Sequence, residues 1–292
     1  MPVKKKLDWF VVCNSIFLIA VGMLCLIPMI HILAVSLSSS AVAATGTVTL
    51  WPKEFTLKSY EFVAHRSAFW QSMLVSLERI ALGGTLNLVL IATVAYPLSK
   101  EKGEFRLRTF YSWAFFITMI FGAGLIPTYM VVKQLGLIDT IWALVFPTAI
   151  PVFSVILLLN FFRAVPKELS EAAFIDGAGH WRTLWQIYVP VSLPALATIL
   201  LFSLVTHWNS WFDGLIYMND PSHYPIQSYI QTIVVQRSLA TMTPEEAKLM
   251  ADISDKTLRS AQIFLGALPI ICVYPFLQRF FVKGIVLGSV KG

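Results

Sequence analysis

The sequence predicts an all-α, polytopic membrane protein with six transmembrane helices and both termini on the cytoplasmic side. Hydrophobic residues make up 57% of the 292 and charged residues only 13%, with a mean hydropathy of +0.72. A soluble chain is about half apolar and a quarter charged. The apolar residues gather in runs near the roughly 20 that a helix needs to cross about 30 Å of hydrocarbon. Those runs do not alternate with period two, which disfavours a β-barrel, the other architecture that closes its backbone hydrogen bonds in lipid. One polytopic domain over residues 1–292 is the natural reading.

The first span runs from about Trp9 to Leu37, behind a basic head of Lys4, Lys5 and Lys6. The head and the small residues Ala41 to Ala44 imitate a secretory signal. The apolar region exceeds the ~7–15 residues of a signal core, so its retention is expected. Further spans follow at about Met73 to Leu98, Phe110 to Val132, Ile138 to Phe162, Ile187 to Phe212 and Ala261 to Val282. An even number of spans places both termini on one side. That side carries the basic head, then Lys100, Lys102, Arg106 and Arg108, then Arg163, Lys167 and Arg182, then Arg279, Lys283 and Lys291. Lys53, Lys58, Arg66, Lys133, Arg237, Lys248, Lys256 and Arg259 are spread more thinly over the opposite side. The positive-inside rule makes the first side cytoplasmic and turns the long segments, about Ser38 to Gln71 and Asp213 to Ser260, outward.

Most spans contain proline, including Pro28, Pro97, Pro127, Pro147, Pro151, Pro190, Pro194, Pro269 and Pro275. Each removes an N–H and kinks its helix, which suits a bundle around a cavity that opens and closes, although proline is common in membrane helices generally. The net charge of +6 forms no basic stripe, so topology explains it better than a nucleic-acid partner does. Cys13, Cys25 and Cys272 lie in apolar runs without a C-x-x-C, which argues against a disulfide framework or a zinc site.

Between the fourth and fifth spans lies RAVPKELSEAAFIDGAGHWRTLW, Arg163 to Trp185. Pro166 suits the first turn of a short helix, Glu168 and Glu171 its positive end, and Gly177 with Gly179 its stop. Leu169, Ala172, Ala173 and Asp176 recur at three- and four-residue spacing, giving a stripe that needs a groove to fill. Small side chains at Ala172 and Ala173 permit close approach, and Gly177 permits a sharp turn. An amphipathic helix lying on the membrane surface is the alternative.

Glu171-Ala172-Ala173, three residues, Gly177, nine residues, Ile187, two residues and Pro190 resembles the EAA loop of binding-protein-dependent ABC importer permeases. The order of six spans and the tail from Tyr274 to Gly292 are similar to the carbohydrate type related to maltose transport. The resemblance implies an ATP-driven importer in which Glu171, Ala172, Ala173, Asp176 and Gly177 couple to an ATPase dimer. A second permease subunit, a different chain by this resemblance, and an extracytoplasmic solute-binding protein would complete it. The long outer segment, 213–260, resembles the subgroup handling larger, often uronate-containing oligosaccharides such as alginate or pectin fragments. Tyr224, Gln227 and Tyr229 in that segment are the implied contacts for the binding protein, although a folded cap on the bundle would read similarly.

No G-x-x-x-x-G-K-[ST] occurs, so ATP and Mg are expected on a partner chain and no cofactor or metal on this one. His31, His65, His180, His207 and His223 are dispersed, and no catalytic motif accompanies them, so an enzyme is not expected. A secondary sugar transporter working without an ATPase is the competing function. It should often show intramembrane ionisable residues and inverted repeats, neither of which is clear here. For a sugar path the richest segment is Thr206 to Asp213, where Trp208 and Trp211 could stack a ring beside Asn209. An interfacial aromatic belt would give the same enrichment. Asn87 and Asn160 suit interhelical hydrogen bonds, and Glu78 and Arg79 suit an interface.

Overall fold

The computed structural model describes residues 9–235 and 254–289. The basic head Lys4 to Lys6, Arg237, Lys248 and the last residues of the tail, Lys291 among them, lie outside the described residues. Among those described, the architecture is helical, and the one strand-like feature is an isolated antiparallel bridge between Ser38 and Phe55. Contacts divide the chain into two compact units, Met1–Phe69 with Thr232–Leu268 and Trp70–Gln231 with Pro269–Gly292.

The first unit begins with α1 (Trp9–Ser36), followed by α2 (Ser40–Ala44) and α3 (Lys58–His65). Along its first five turns α1 leaves nearly every side chain exposed, and burial starts only at Ala34 to Ser36. There Ala34, Val35, Ala43 and Val48 form a small core. Polar contacts shape the outer segment: Ser38 Oγ donates to Ala34 O at 2.6 Å and accepts from Lys53 N at 3.0 Å, while Ser36 Oγ meets Tyr60 OH at 2.7 Å.

α4 (Ser67–Ser99) leads into the second unit, which continues with α5 (Arg108–Ile120), α6 (Leu125–Gln134), α7 (Ile141–Val145), a 3-10 turn (Phe146–Thr148) and α8 (Val152–Arg163). Then come α9 (Lys167–Ile175), α10 (His180–Thr183), a π-helical segment (Leu184–Tyr188), α11 (Val189–Val191), α12 (Leu193–Asn209), α13 (Phe212–Tyr217) and α14 (Ile226–Val235). α15 (Asp255–Ser289) contains Pro269 and Pro275. The main core joins α4, α8, the π segment and α12 through Ile91, Ala95, Leu158, Phe162, Leu184 and Ile199.

Among the described residues, three helices are long and apolar enough to cross a membrane, Trp9–Ser36, Ser67–Ser99 and Asp255–Val273; three bent pairs qualify if each counts as one span. The breaks have local causes. Arg108–Ile120 and Leu125–Gln134 diverge by 115° at a segment where Gly124 takes φ +83°, a conformation open to glycine at no steric cost. The other pairs bend by 53° and 84° beside Pro147 and Pro151, and beside Pro190 and Pro194. Asn87 repairs the first proline break by donating both amide hydrogens, to Thr148 O and Ala149 O, each at 2.8 Å. This is the interhelical role expected of an intramembrane asparagine.

Candidate functional site

α9 begins directly after Pro166, with Glu168 in its first turn. Glu171 lies one turn further on and gains little from the positive helix end, which acts mainly on the first turn. The helix closes with Gly177 N donating to Phe174 O at 3.0 Å and Ala178 N to Ala173 O at 2.9 Å. These two bonds are the Schellman pattern, which needs a left-handed residue after the cap, and Gly177 supplies it at φ +78°. A Cβ at Gly177 would meet nothing within 4 Å. The glycine is therefore required by its backbone angle and not by a lack of space.

Ser170 is the buried side chain of α9. Glu171, Ala172 and Asp176 are exposed, and Ala173 is half-buried. Leu169, Ala172 and Ile175 form an outward apolar row in which Ile175 is 86% exposed. The sequence pattern passes over Ile175, whose role depends on where the helix turns. Lys167 at the start of α9 forms an ion pair with Glu101. Their hydrogen bond holds the Glu101 carboxyl below its ordinary 4.5 and the Lys167 ammonium above its ordinary 10.5.

Beneath α9 lies Lys100, which is only 9% exposed. Its Nζ donates to Tyr188 OH at 3.0 Å and faces the rings of Tyr188 at 4.7 Å, Tyr96 at 4.8 Å and Phe174 at 6.0 Å. His180 is exposed, yet its Nδ1 lies 3.3 Å from Tyr96 OH and its ring meets Phe174 edge-on at 5.1 Å. Sequence counting assigned Lys100 only to the positive-inside tally. Its burial becomes apparent when aromatic residues from three elements converge.

At the other end of α12, Trp208 and Trp211 do not share a face. The helix stops at Asn209, and Ser210 takes φ −72° and ψ 122°. Trp208 is buried at 2%, whereas Trp211 is 41% exposed and meets Phe212 edge-on at 5.5 Å. Asn209 is exposed. This corner is held from below by Arg79, which is 1% exposed rather than interfacial. Arg79 pairs with Asp213, donates to Leu144 O at 3.3 Å and to Ser210 O at 3.4 Å, and directs Nε at His207 Nδ1 at 3.4 Å. His207 Nε2 then donates to Asn87 Oδ1 at 2.9 Å, and Ser203 Oγ donates to the same oxygen at 2.6 Å. Gly83 leaves room for this ring, since a Cβ there would come within 2.7 Å of His207 Cε1. Further out, Tyr229 is buried and Tyr224 and Gln227 are half-buried, because α14 turns its apolar face inward and Ile226 N bonds Ser76 Oγ at 2.7 Å. The described residues contain no group of three or more His, Cys, Asp or Glu placed to hold a metal.

The profile of the family described as binding-protein-dependent transport system inner membrane component matches residues 3–286. The chain belongs to this family. Within it, the chain is 39% identical over 285 residues to Protein LplC of Bacillus subtilis (strain 168), covering 97% of this chain and 95% of that protein. It is 37% identical over 276 residues to the polygalacturonan/rhamnogalacturonan transport system permease protein YtcP of the same organism, covering 94% and 96%. Among solved structures, a chain of a bacterial ABC transporter involved in the import of the acidic polysaccharide alginate superposes with a TM-score of 0.85 at 31% identity, covering 96% of this chain and 100% of that one. As an inner membrane component of a binding-protein-dependent system, the chain is a transport subunit.

Proposed function

We infer that this permease forms half of the membrane path of an ATP-driven importer that carries an acidic oligosaccharide from a solute-binding protein into the cytoplasm. In this reading the bent pairs each count as one span, giving six, and both termini are cytoplasmic. A second permease chain supplies the other half. An ATPase dimer on separate chains holds ATP and Mg.

The observation that carries the reading is α9, a short helix with Leu169, Ala172 and Ile175 outward and a Schellman closure at Gly177. A helix of nine residues has little stability of its own in water, and an exposed apolar row on it marks a protein or membrane contact, which the family's binding-protein-dependent transport role favours as a protein. Glu171, Ala172, Ala173, Asp176 and Gly177 are the proposed contact and cap residues. The acidic substrate class draws on the polygalacturonan/rhamnogalacturonan relative and on the alginate importer. For the path, Asn209 and Trp211 offer exposed surface, while Trp208 supports them from within. Tyr224 and Gln227 are the proposed outer contacts for the binding protein, with Tyr229 packed behind them.

The test is uptake into proteoliposomes holding the two permeases, the ATPase dimer and the binding protein. Import of pectin- or alginate-derived oligosaccharide that requires both ATP and the binding protein is the expected result. Uptake by this chain without the ATPase would overturn it.

A further inference from the structure

Lys100 occupies an unusual position for a lysine. It is nearly fully buried, and among the described residues no carboxylate lies within ion-pair distance of it. A buried ammonium is costly to leave uncompensated. Here the compensation comes from Tyr188 OH and from the faces of Tyr96, Tyr188 and Phe174. Rings attract a cation through their quadrupoles, and do so most strongly when water is excluded. Each partner belongs to a different element: Tyr96 to the end of α4, Phe174 to α9, and Tyr188 to the π segment that feeds α12.

Two features beside the ammonium give it room to act. A cavity of about 360 Å³, bordered by Lys100, Glu104, Phe105, His180 and Trp181, opens next to it, with Glu104 beyond ion-pair distance of the ammonium. The π-helical register at Leu184–Tyr188 interrupts the ordinary hydrogen-bond ladder, a feature frequent at functional sites. The α9–α10 turn thus borders open space while Phe174 and His180, on either side of it, touch the groups around the ammonium.

We propose that Lys100 is a positioning residue that couples α9 to α4 and α12: its ammonium, held by Tyr96, Phe174 and Tyr188, transmits displacement of α9 to both long helices. This rests on the reading of α9 as the ATPase-docking helix. A cation with a hydrogen bond and three ring partners resists separation.

The experiment uses the complete importer in proteoliposomes and measures ATP hydrolysed per oligosaccharide imported, alongside the ATPase retained on the purified complex. Lys100→Met keeps the stem and removes the charge; Lys100→Arg keeps a cation able to stack on the rings. Expected is full ATPase retention in both, with a hydrolysis-to-import ratio raised above the parent's in Lys100→Met and returned towards the parent value in Lys100→Arg. A parent-like ratio in Lys100→Met overturns the proposal, as does equal loss of assembly in both variants, which would mark a purely structural lysine. Glu171→Lys separates the premises. Uncoupling there with normal coupling in Lys100→Met overturns the transmission role alone, and normal coupling in both overturns the docking reading with it.

Discussion

At Gly177 the demand is conformational, because its φ is +78° and the space around a Cβ is open. An L-residue in the left-handed region costs roughly 1–2 kcal/mol, and asparagine tolerates it better than most. Gly177→Val should therefore loosen the closure of α9 and lower binding-protein-stimulated ATP hydrolysis, and Gly177→Asn should retain most of it. Equal loss in both would make size the cause. The Lys167–Glu101 pair has a defined pH window. Glu101 is depressed below 4.5, so its contribution is present above that value and is lost as pH falls through the folded pKa. Lys167 is raised above 10.5, so its contribution is present below that value and is lost as pH rises through the folded pKa. The tether is thus intact at neutral pH. Because both side chains are exposed, screening limits it: Glu101→Gln should alter coupling at low salt and little at high salt, as read by ATPase assays across ionic strength. Gly177 was legible in the sequence because only glycine fits that turn freely. Arg79 and Lys100 were not, since charge near the end of an apolar run reads as interfacial until tertiary packing buries it.

Among the elements, the clearest division between what sequence and structure reveal is at the corner of α12 and α13. Hydropathy places one continuous span there, but the chain turns at Ser210, anchored by Arg79–Asp213 and by Ser228 Oγ donating to Trp211 O at 2.7 Å. Trp208 and Trp211 consequently have different environments. Truncating buried Trp208 to alanine should cost about 3–5 kcal/mol and reduce the yield of assembled complex. Trp211→Ala should leave assembly intact and lower oligosaccharide uptake per complex. The aromatic-belt reading expects Trp211→Ala to impair insertion and spare transport per complex, so uptake normalised to assembled complex distinguishes the two. The 115° break between α5 and α6 escaped the sequence for the same reason. Hydropathy averages over Gly122 to Gly124, where the backbone reverses without changing composition. α9 was legible because its signals, a proline start, a glycine stop and helical spacing, are local ones.

For the whole molecule, helix content and membrane class followed from composition, because no soluble fold accommodates so many continuously apolar runs. Burial could not be predicted in the same way. α1 exposes nearly its whole surface along its first five turns, so its environment must come from lipid or from another chain. The purified chain should show no ATP turnover, and turnover should appear only with the ATPase dimer. On the proposed function, α9 is the surface on which that ATPase docks. The most direct measurement places a photoreactive side chain at Ile175 in the complete importer and identifies the cross-linked product by mass spectrometry. The predicted result is an adduct with the ATPase that is lost when that subunit is omitted. Adducts confined to lipid, in a complex that still hydrolyses ATP and imports its substrate, would contradict the account.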